Sequence, residues 1–205
     1  MKIAKEADDL LVHCFIAFFD IRGFGRFERR VTDPKTELHP WRKKYRNIID
    51  DFRKKTGYMV KRAGDGGCVF FETTPFDAGI DAVKFLDDCW ELLMQLKELR
   101  RKKQNPRYEG DRLTVSYGAL WKEPCTQFGH DYYGFMANLT EKMLHQHKET
   151  CFRVTEKLKE LLTEYQIQKN GYRFKHVGLD TRVPCDSIYE DDMKLQNSFQ
   201  KRKPK

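Results

Sequence analysis

Residues 12–21 read VHCFIAFFDI, apolar at almost every position and closed by an acid. Successive side chains of a strand point to opposite faces, so a run that is apolar on both alternations leaves no face for water. It predicts a central strand covered on both sides, which excludes a helical bundle and a sheet wetted on one face. The next residues, RGFGRF, place Gly23 and Gly25 close together and read as a tight strand-to-helix connection.

The rest of the pattern supplies the cover. Pro34 to Lys55 carries Trp41, Tyr45, Ile48, Ile49 and Phe52 at three- and four-residue spacing, one face of an amphipathic helix stopped by Gly57. Tyr58 to Glu72 reads as two strands joined around Gly64-Asp65-Gly66-Gly67. A long helix is predicted from Pro75 to about Lys103, with Ile80, Val83, Phe85, Leu86, Trp90, Leu93, Met94, Leu96 and Leu99 as its apolar positions. Arg112 to Leu120 reads as a strand. Gly134 to His147 and Thr155 to Tyr165 read as helices, the second capped by Thr155 and burying Leu158, Leu161 and Leu162. Tyr172 to Val177 and Asp186 to Tyr189 form a final strand pair. The order β-α-β-β-α-β, then helices and a late hairpin, predicts an α/β (α+β) sandwich with a ferredoxin-like core and additions.

At 205 residues the chain suits one domain, taken as residues 1–193, followed by a basic tail over 194–205. Its net charge of +8 first suggests a nucleic-acid partner. Five of those charges, however, fall in the tail, and removing them leaves +3 on the rest. The runs Arg100-Arg101-Lys102-Lys103 and Lys201-Arg202-Lys203 read as solvated features, so no nucleic-acid partner is expected. No apolar run approaches the ~20 residues of a spanning helix, and MKIAKEADD carries no signal-peptide core. A cytoplasmic protein without a membrane partner is expected. Six dispersed cysteines with no CxxC pair agree, reading as small buried hydrophobes rather than metal ligands. His145 and His147, two apart, point in different directions on a helix.

Two acids stand out: Asp20 at the end of the first strand and Asp65 at the hairpin tip. In a βαββ unit these can meet at one sheet edge, where two hard oxygen ligands suit Mg²⁺ or Mn²⁺ completed by water and substrate phosphates. Two such ions could polarise an attacking hydroxyl and neutralise charge developing on a phosphate. The backbone N–H groups of the Gly23–Gly25 turn could cradle that phosphate. Taken singly each element has a plainer reading: Asp65 as a turn residue, Asp20 as a helix cap, the glycines as a tight turn.

Together FFDIRGF (18–24), KRAGDGG (61–67) and SYGALWKEPCTQFGHDYYGFMANLTEKM (116–143) resemble the class III nucleotidyl cyclase catalytic domain. The likeness runs over roughly residues 12 to 190. It implies metal binding by Asp20 and Asp65, with the Ile21 carbonyl as an extra ligand and two ions per site. It implies base contacts from Lys61 and Asp131; Gly23, Phe24 and Gly25 are read as the phosphate cradle and Tyr133 as a ring beside the base. It implies that Asn138 orients the ribose. Lys142 stands where the family usually has an arginine, keeping the charge but losing the planar fork. Arg182 is a candidate for a further phosphate contact. Because one chain holds a single set of each group, the resemblance implies a homodimer with sites at the interface.

The implied reaction is attack of the ribose 3′-oxygen on the α-phosphate, giving a 3′,5′-cyclic nucleotide and pyrophosphate. The Lys61/Asp131 pair is similar to the adenine-reading combination. Against ATP stand the small standalone length, the Arg-Ala-Gly-Asp-Gly hairpin and the rings of Tyr132 and Tyr133, which could narrow a purine pocket. On those grounds the chain resembles the bacterial pyrimidine cyclases of anti-phage (Pycsar) systems, which make cUMP or cCMP for a separate effector. Cytosine and uracil stay unseparated. The rival readings are an adenylate cyclase and an inactive nucleotide-binding module of the same fold. A diguanylate cyclase is excluded by the absence of a GG[DE]EF-like hairpin.

Overall fold

The structure, a computed structural model, describes residues 10–21, 24–101, 111–125, 129–145, 151–177 and 188–191. The apolar run is the centre of its sheet. Strand β1 (Leu10–Ile21) lies between β3 (Gly66–Thr73) and β4 (Asp111–Cys125) and is antiparallel to both. Its alternation divides the interior in two. Phe15, Ala17, Phe19 and Ile21 enter a large core under helices α2 (His39–Thr56) and α3 (Ala78–Arg101). Cys14 and Ile16 enter a second, smaller core with Phe70, Leu120, Tyr132 and Ala137, covered by α4 (Phe135–His145). Both faces are therefore covered, as the sequence predicts.

The sheet order is β2-β3-β1-β4-β6-β8-β7, where β2 is Met59–Ala63, β6 is Cys151–Thr155, β7 is Phe174–Val177 and β8 is Ile188–Asp191. The first four strands follow the ferredoxin-like arrangement. Strand β5 (Gly129–Tyr133) pairs with the outer end of β4, and β6 runs parallel to β4 after the α4 crossover.

Local chemistry explains the helix boundaries. In α2, Trp41, Tyr45, Ile49 and Phe52 are buried, each contributing roughly 1.5–3 kcal/mol. Gly57 ends this helix at φ +74°, its N–H donating to the Arg53 carbonyl. A wide turn over Pro34–Leu38, capped by Asp33, precedes it. The start of α3 is set by Thr74, whose hydroxyl accepts from the Asp77 N–H at 3.2 Å, with Pro75 at the first turn.

Four expectations need correction. Ile80 is not a core position but is 72% exposed, because the buried face runs through Ala78, Ala82, Phe85, Leu86 and Cys89. The segment read as one helix from Thr155 to Tyr165 is a strand end followed by two short helices, α5 (Glu156–Glu160) and α6 (Glu164–Asn170). Thr155 makes no side-chain cap; Thr163 forms a full capping box with Gln166 instead. Strands β5 and β6 were not anticipated, being five residues each. Cys14, Cys89 and Cys151 are buried, as expected of small hydrophobes. Cys185, His147 and the tail from Lys194 lie outside the described residues.

Candidate active site

The hairpin brings the two acids together. Asp20 sits opposite Gly66 on β3 and Arg112 on β4, and Asp65 is the residue before Gly66. Gly64 opens the turn at φ +63°, a conformation that favours glycine. The glycines that follow permit the close approach: a Cβ on Gly66 would lie 2.5 Å from the Phe19 carbonyl oxygen, and one on Gly67 would collide with the Lys61 carbonyl and the Phe19 ring. Burial raises the Asp65 carboxyl above the usual carboxylate range, and the charges of Asp20 and Glu28 add to that. Tyr45 donates to the Gly66 carbonyl at 3.0 Å, pinning the tip from the α2 side.

Asp20 is held in turn. Arg112 is buried, its side chain 2% exposed, and its Nη2 donates to Asp20 Oδ2 at 2.6 Å. Its Nη1 donates to the Leu144 carbonyl in the last turn of α4. This arginine was missed from sequence. An arginine beside Asp111 at the start of a strand whose first eight residues are all buried was the signal available.

On the same sheet face, Lys61 of β2 pairs with Asp131 of β5, seventy residues away, through Nζ and Oδ1. Burial works against the Asp131 charge, but Lys61 and the Tyr132 N–H outweigh it and hold the carboxyl below its ordinary range. The pair is positioned by its neighbours: Tyr132 stacks on Phe70 at 4.8 Å and donates to Glu72, which also pairs with Lys122 at 2.7 Å. Tyr132 is thus a core packing residue, 8% exposed, and not a wall that narrows a base pocket. Tyr133, opposite Trp121, is 40% exposed.

Asn138 and Lys142, four apart on α4, are both exposed and share the outward side of the helix. The inward side is fixed on β4 by Met136 against Gly118 and by Thr114 donating to the Thr140 carbonyl at 2.9 Å. Ile21 is buried at the end of β1. The Phe24 ring is buried against Trp41 at 4.7 Å, so only its backbone is available to a phosphate, whereas Gly25 is exposed. Gly23 and Arg182 lie outside the described residues.

The donor set fits a hard divalent cation. Two carboxylates crowd one turn, no thiolate or imidazole joins them, and no group of three His, Cys, Asp or Glu forms a closed cage among the described residues. Such a site leaves coordination positions for substrate oxygens. No helix among the described residues is long and apolar enough to cross a membrane.

One mixed α/β sheet thus brings Asp20 beside the turn that holds Asp65 and sets the Lys61–Asp131 pair on the same face. Residues 10–183 match the family model described as adenylate and guanylate cyclase catalytic domain, and the chain belongs to that family. Members of the family make cyclic nucleotides, and the mixed α/β fold matches theirs. Among solved structures, it is similar to the adenylyl cyclase CyaB from P. aeruginosa, with 18% identity, a TM-score of 0.72, and coverage of 90% of this chain and 95% of that one. It is similar to the guanylate cyclase domain of RhGC from Catenaria anguillulae in complex with GTP, with 16% identity, a TM-score of 0.63, and coverage of 91% and 99%. It also resembles a non-canonical dimeric guanylyl cyclase domain from Blastocladiella emersonii, with 15% identity, a TM-score of 0.64, and coverage of 91% and 99%. No curated protein matches the sequence.

Proposed function

We propose that this chain is a homodimeric nucleotidyl cyclase that converts a nucleoside triphosphate, by preference UTP or CTP, into the 3′,5′-cyclic nucleotide and pyrophosphate. The observation that carries the reading is the meeting of Lys61 and Asp131 in one chain, beside the Asp20–Asp65 tip. A donor and an acceptor held side by side can read a base edge. Lys61 would donate to a ring or carbonyl acceptor and Asp131 accept from an exocyclic amino group. Asn138 orients the ribose and Lys142 places positive charge at the reacting phosphate, both reaching a neighbouring subunit's site from the exposed side of α4.

Asp20, Asp65 and the Ile21 carbonyl would hold two Mg²⁺ or Mn²⁺ ions. Bound there, the metals supply activation of the 3′-hydroxyl and neutralisation of phosphate charge. The protein's own part is positioning: Arg112 and the tight glycine turn keep the carboxylates in place, and the base pair fixes the nucleotide against them. The Tyr132 ring no longer supports a narrowed pocket, so the pyrimidine preference rests on the Arg-Ala-Gly-Asp-Gly hairpin and the exposed Tyr133 ring. The Lys61/Asp131 pair also matches adenine, which makes ATP the second reading. The product is read as a second messenger for a separate effector in anti-phage defence, in a cytoplasmic setting.

Incubation of the purified chain with ATP, GTP, CTP and UTP in Mn²⁺ tests the proposal. A cyclic pyrimidine as the main product is expected. Cyclic AMP would replace the base assignment, and no cyclic product from any nucleotide would sink the enzyme.

A further inference from the structure

The hairpin has a second side. Because successive residues of β2 face opposite ways, Arg62 points away from the Lys61–Asp131 pair and toward α2. There it lines a cavity of about 390 Å³ with Arg42, Arg46, Trp41 and Asp65, within the ~300–1,000 Å³ range of ligand sites. Arg42 and Arg46 also border a neighbouring cavity of about 490 Å³ that adds His39, Lys43, Asn47 and one acid, Asp50. The cations that border the first cavity thus continue along the exposed side of α2.

The pairing of these cations is uneven. Arg42 is matched by Glu28. Arg46 and Arg62 make no ion pair among the described residues, although Asp65 lines the same cavity. Two guanidiniums with no ion pair among the described residues, beside an acid suited to a divalent cation, form an arrangement that attracts a multiply charged anion. Planar arginines bind phosphate oxygens in a bidentate manner that lysine does not reproduce. The floor is rigid: Trp41 and Tyr45 stack at 5.5 Å, and Tyr45 bonds to the hairpin itself. The two arginines are therefore carried on a fixed helix and a fixed strand, with the hairpin tip between them.

We propose that Arg46 and Arg62, assisted by Arg42, form a cleft for a diphosphate group on the α2 side of the Asp65 hairpin, taking the β- and γ-phosphates of the substrate and then the pyrophosphate product. This rests on the cyclase reading above. It assigns the polyphosphate tail to side chains of the same subunit that carries Asp20 and Asp65. It also provides planar cations that Lys142 lacks.

Inorganic pyrophosphate is the probe. Titration calorimetry on the full chain with EDTA present, so that no metal can carry the interaction, should show binding that weakens tenfold or more in Arg46→Ala/Arg62→Ala. The Arg46→Lys/Arg62→Lys variant should recover only part of it. Both side chains are exposed, so the melting temperature should hold, which separates lost binding from lost folding. In turnover assays pyrophosphate should raise the apparent KM for the triphosphate without changing kcat. Wild-type affinity in the double-alanine variant, or no binding by the parent, overturns the cleft. Binding that does not compete with the triphosphate overturns its assignment to the substrate tail. A chain that cyclises no nucleotide, yet binds pyrophosphate through these arginines, would fail the cyclase reading alone.

Discussion

An Arg112→Ala substitution removes a guanidinium whose side chain is 2% exposed and which bonds both Asp20 and the Leu144 carbonyl. Breaking a buried ion pair by deleting one partner costs about 3–5 kcal/mol, because the other charge is left uncompensated. Asp20 keeps 23% of its side-chain surface, so water recovers part of that and the lower end applies. The orphaned Leu144 carbonyl offsets the recovery, since a buried acceptor without a donor costs about 1–3 kcal/mol. A net loss of about 3 kcal/mol is expected, which for a chain of this size lowers the melting temperature by about 6–12 °C. The assay is thermal and urea unfolding of Arg112→Ala, Asp20→Asn and the double variant. Groups that act as a pair give a double variant milder than the sum of the singles by at least about 0.5 kcal/mol. Additive losses, or an Arg112→Ala protein within about 0.5 kcal/mol of the parent, would refute the reasoning.

The remaining expectations are shorter. Asp65→Asn should abolish metal-dependent turnover while leaving the melting temperature equal or higher, because burial and Asp20 penalise the ionised carboxyl; a marked drop in melting temperature would contradict that. Gly66→Ala forces a Cβ to 2.5 Å from the Phe19 carbonyl oxygen and should cost about 1–3 kcal/mol along with most activity, checked by unfolding and turnover. Lys142→Arg should keep or raise kcat if Lys142 faces the reacting phosphate; a loss beyond tenfold argues against that role. Glu72 has its carboxyl held low: burial opposes the charge, but Lys122 and Tyr132 prevail. Its stabilising contribution is therefore complete above the unfolded value, about pH 4.3, and fades as pH falls through the lower folded value. Glu72→Gln should flatten that acid limb in a pH series of urea midpoints.

What could be read from the chain follows from where its chemistry is local. The β1 run, the α2 stripe ending at Gly57 and the Gly64–Gly67 hairpin declare themselves through period and turn residues, and all three appear in the structure. The meeting of Asp20 and Asp65 was reachable because a first strand of a βαββ unit can lie beside the hairpin whose tip holds Asp65. Arg112 was not, since its significance comes from meeting Asp20 across the β1–β4 register, a non-local fact. The strand Cys151–Thr155 was lost because five residues that complete a sheet carry no period long enough to recognise. Tyr132 looked like a pocket wall because it is adjacent to Asp131, yet strand alternation turns it toward Phe70. Arg46 and Arg62 share a cavity only because the fold sets α2 against the hairpin, which is again a non-local fact.

The double cover of β1 also bears on which length changes this chain can inherit. Every residue from His13 to Asp20 is paired on both sides, and alternate positions serve different cores. Losing a single codon there would put Cys14, Ile16 and Phe18 where Phe15, Ala17 and Phe19 now pack, and turn Asp20 away from Arg112 to the opposite face. Substitutions along the strand alter volume, whereas an odd insertion or deletion inverts the whole interior. Descendants of this sequence can vary in length in the loops between strands, but within β1 their residue count is held constant.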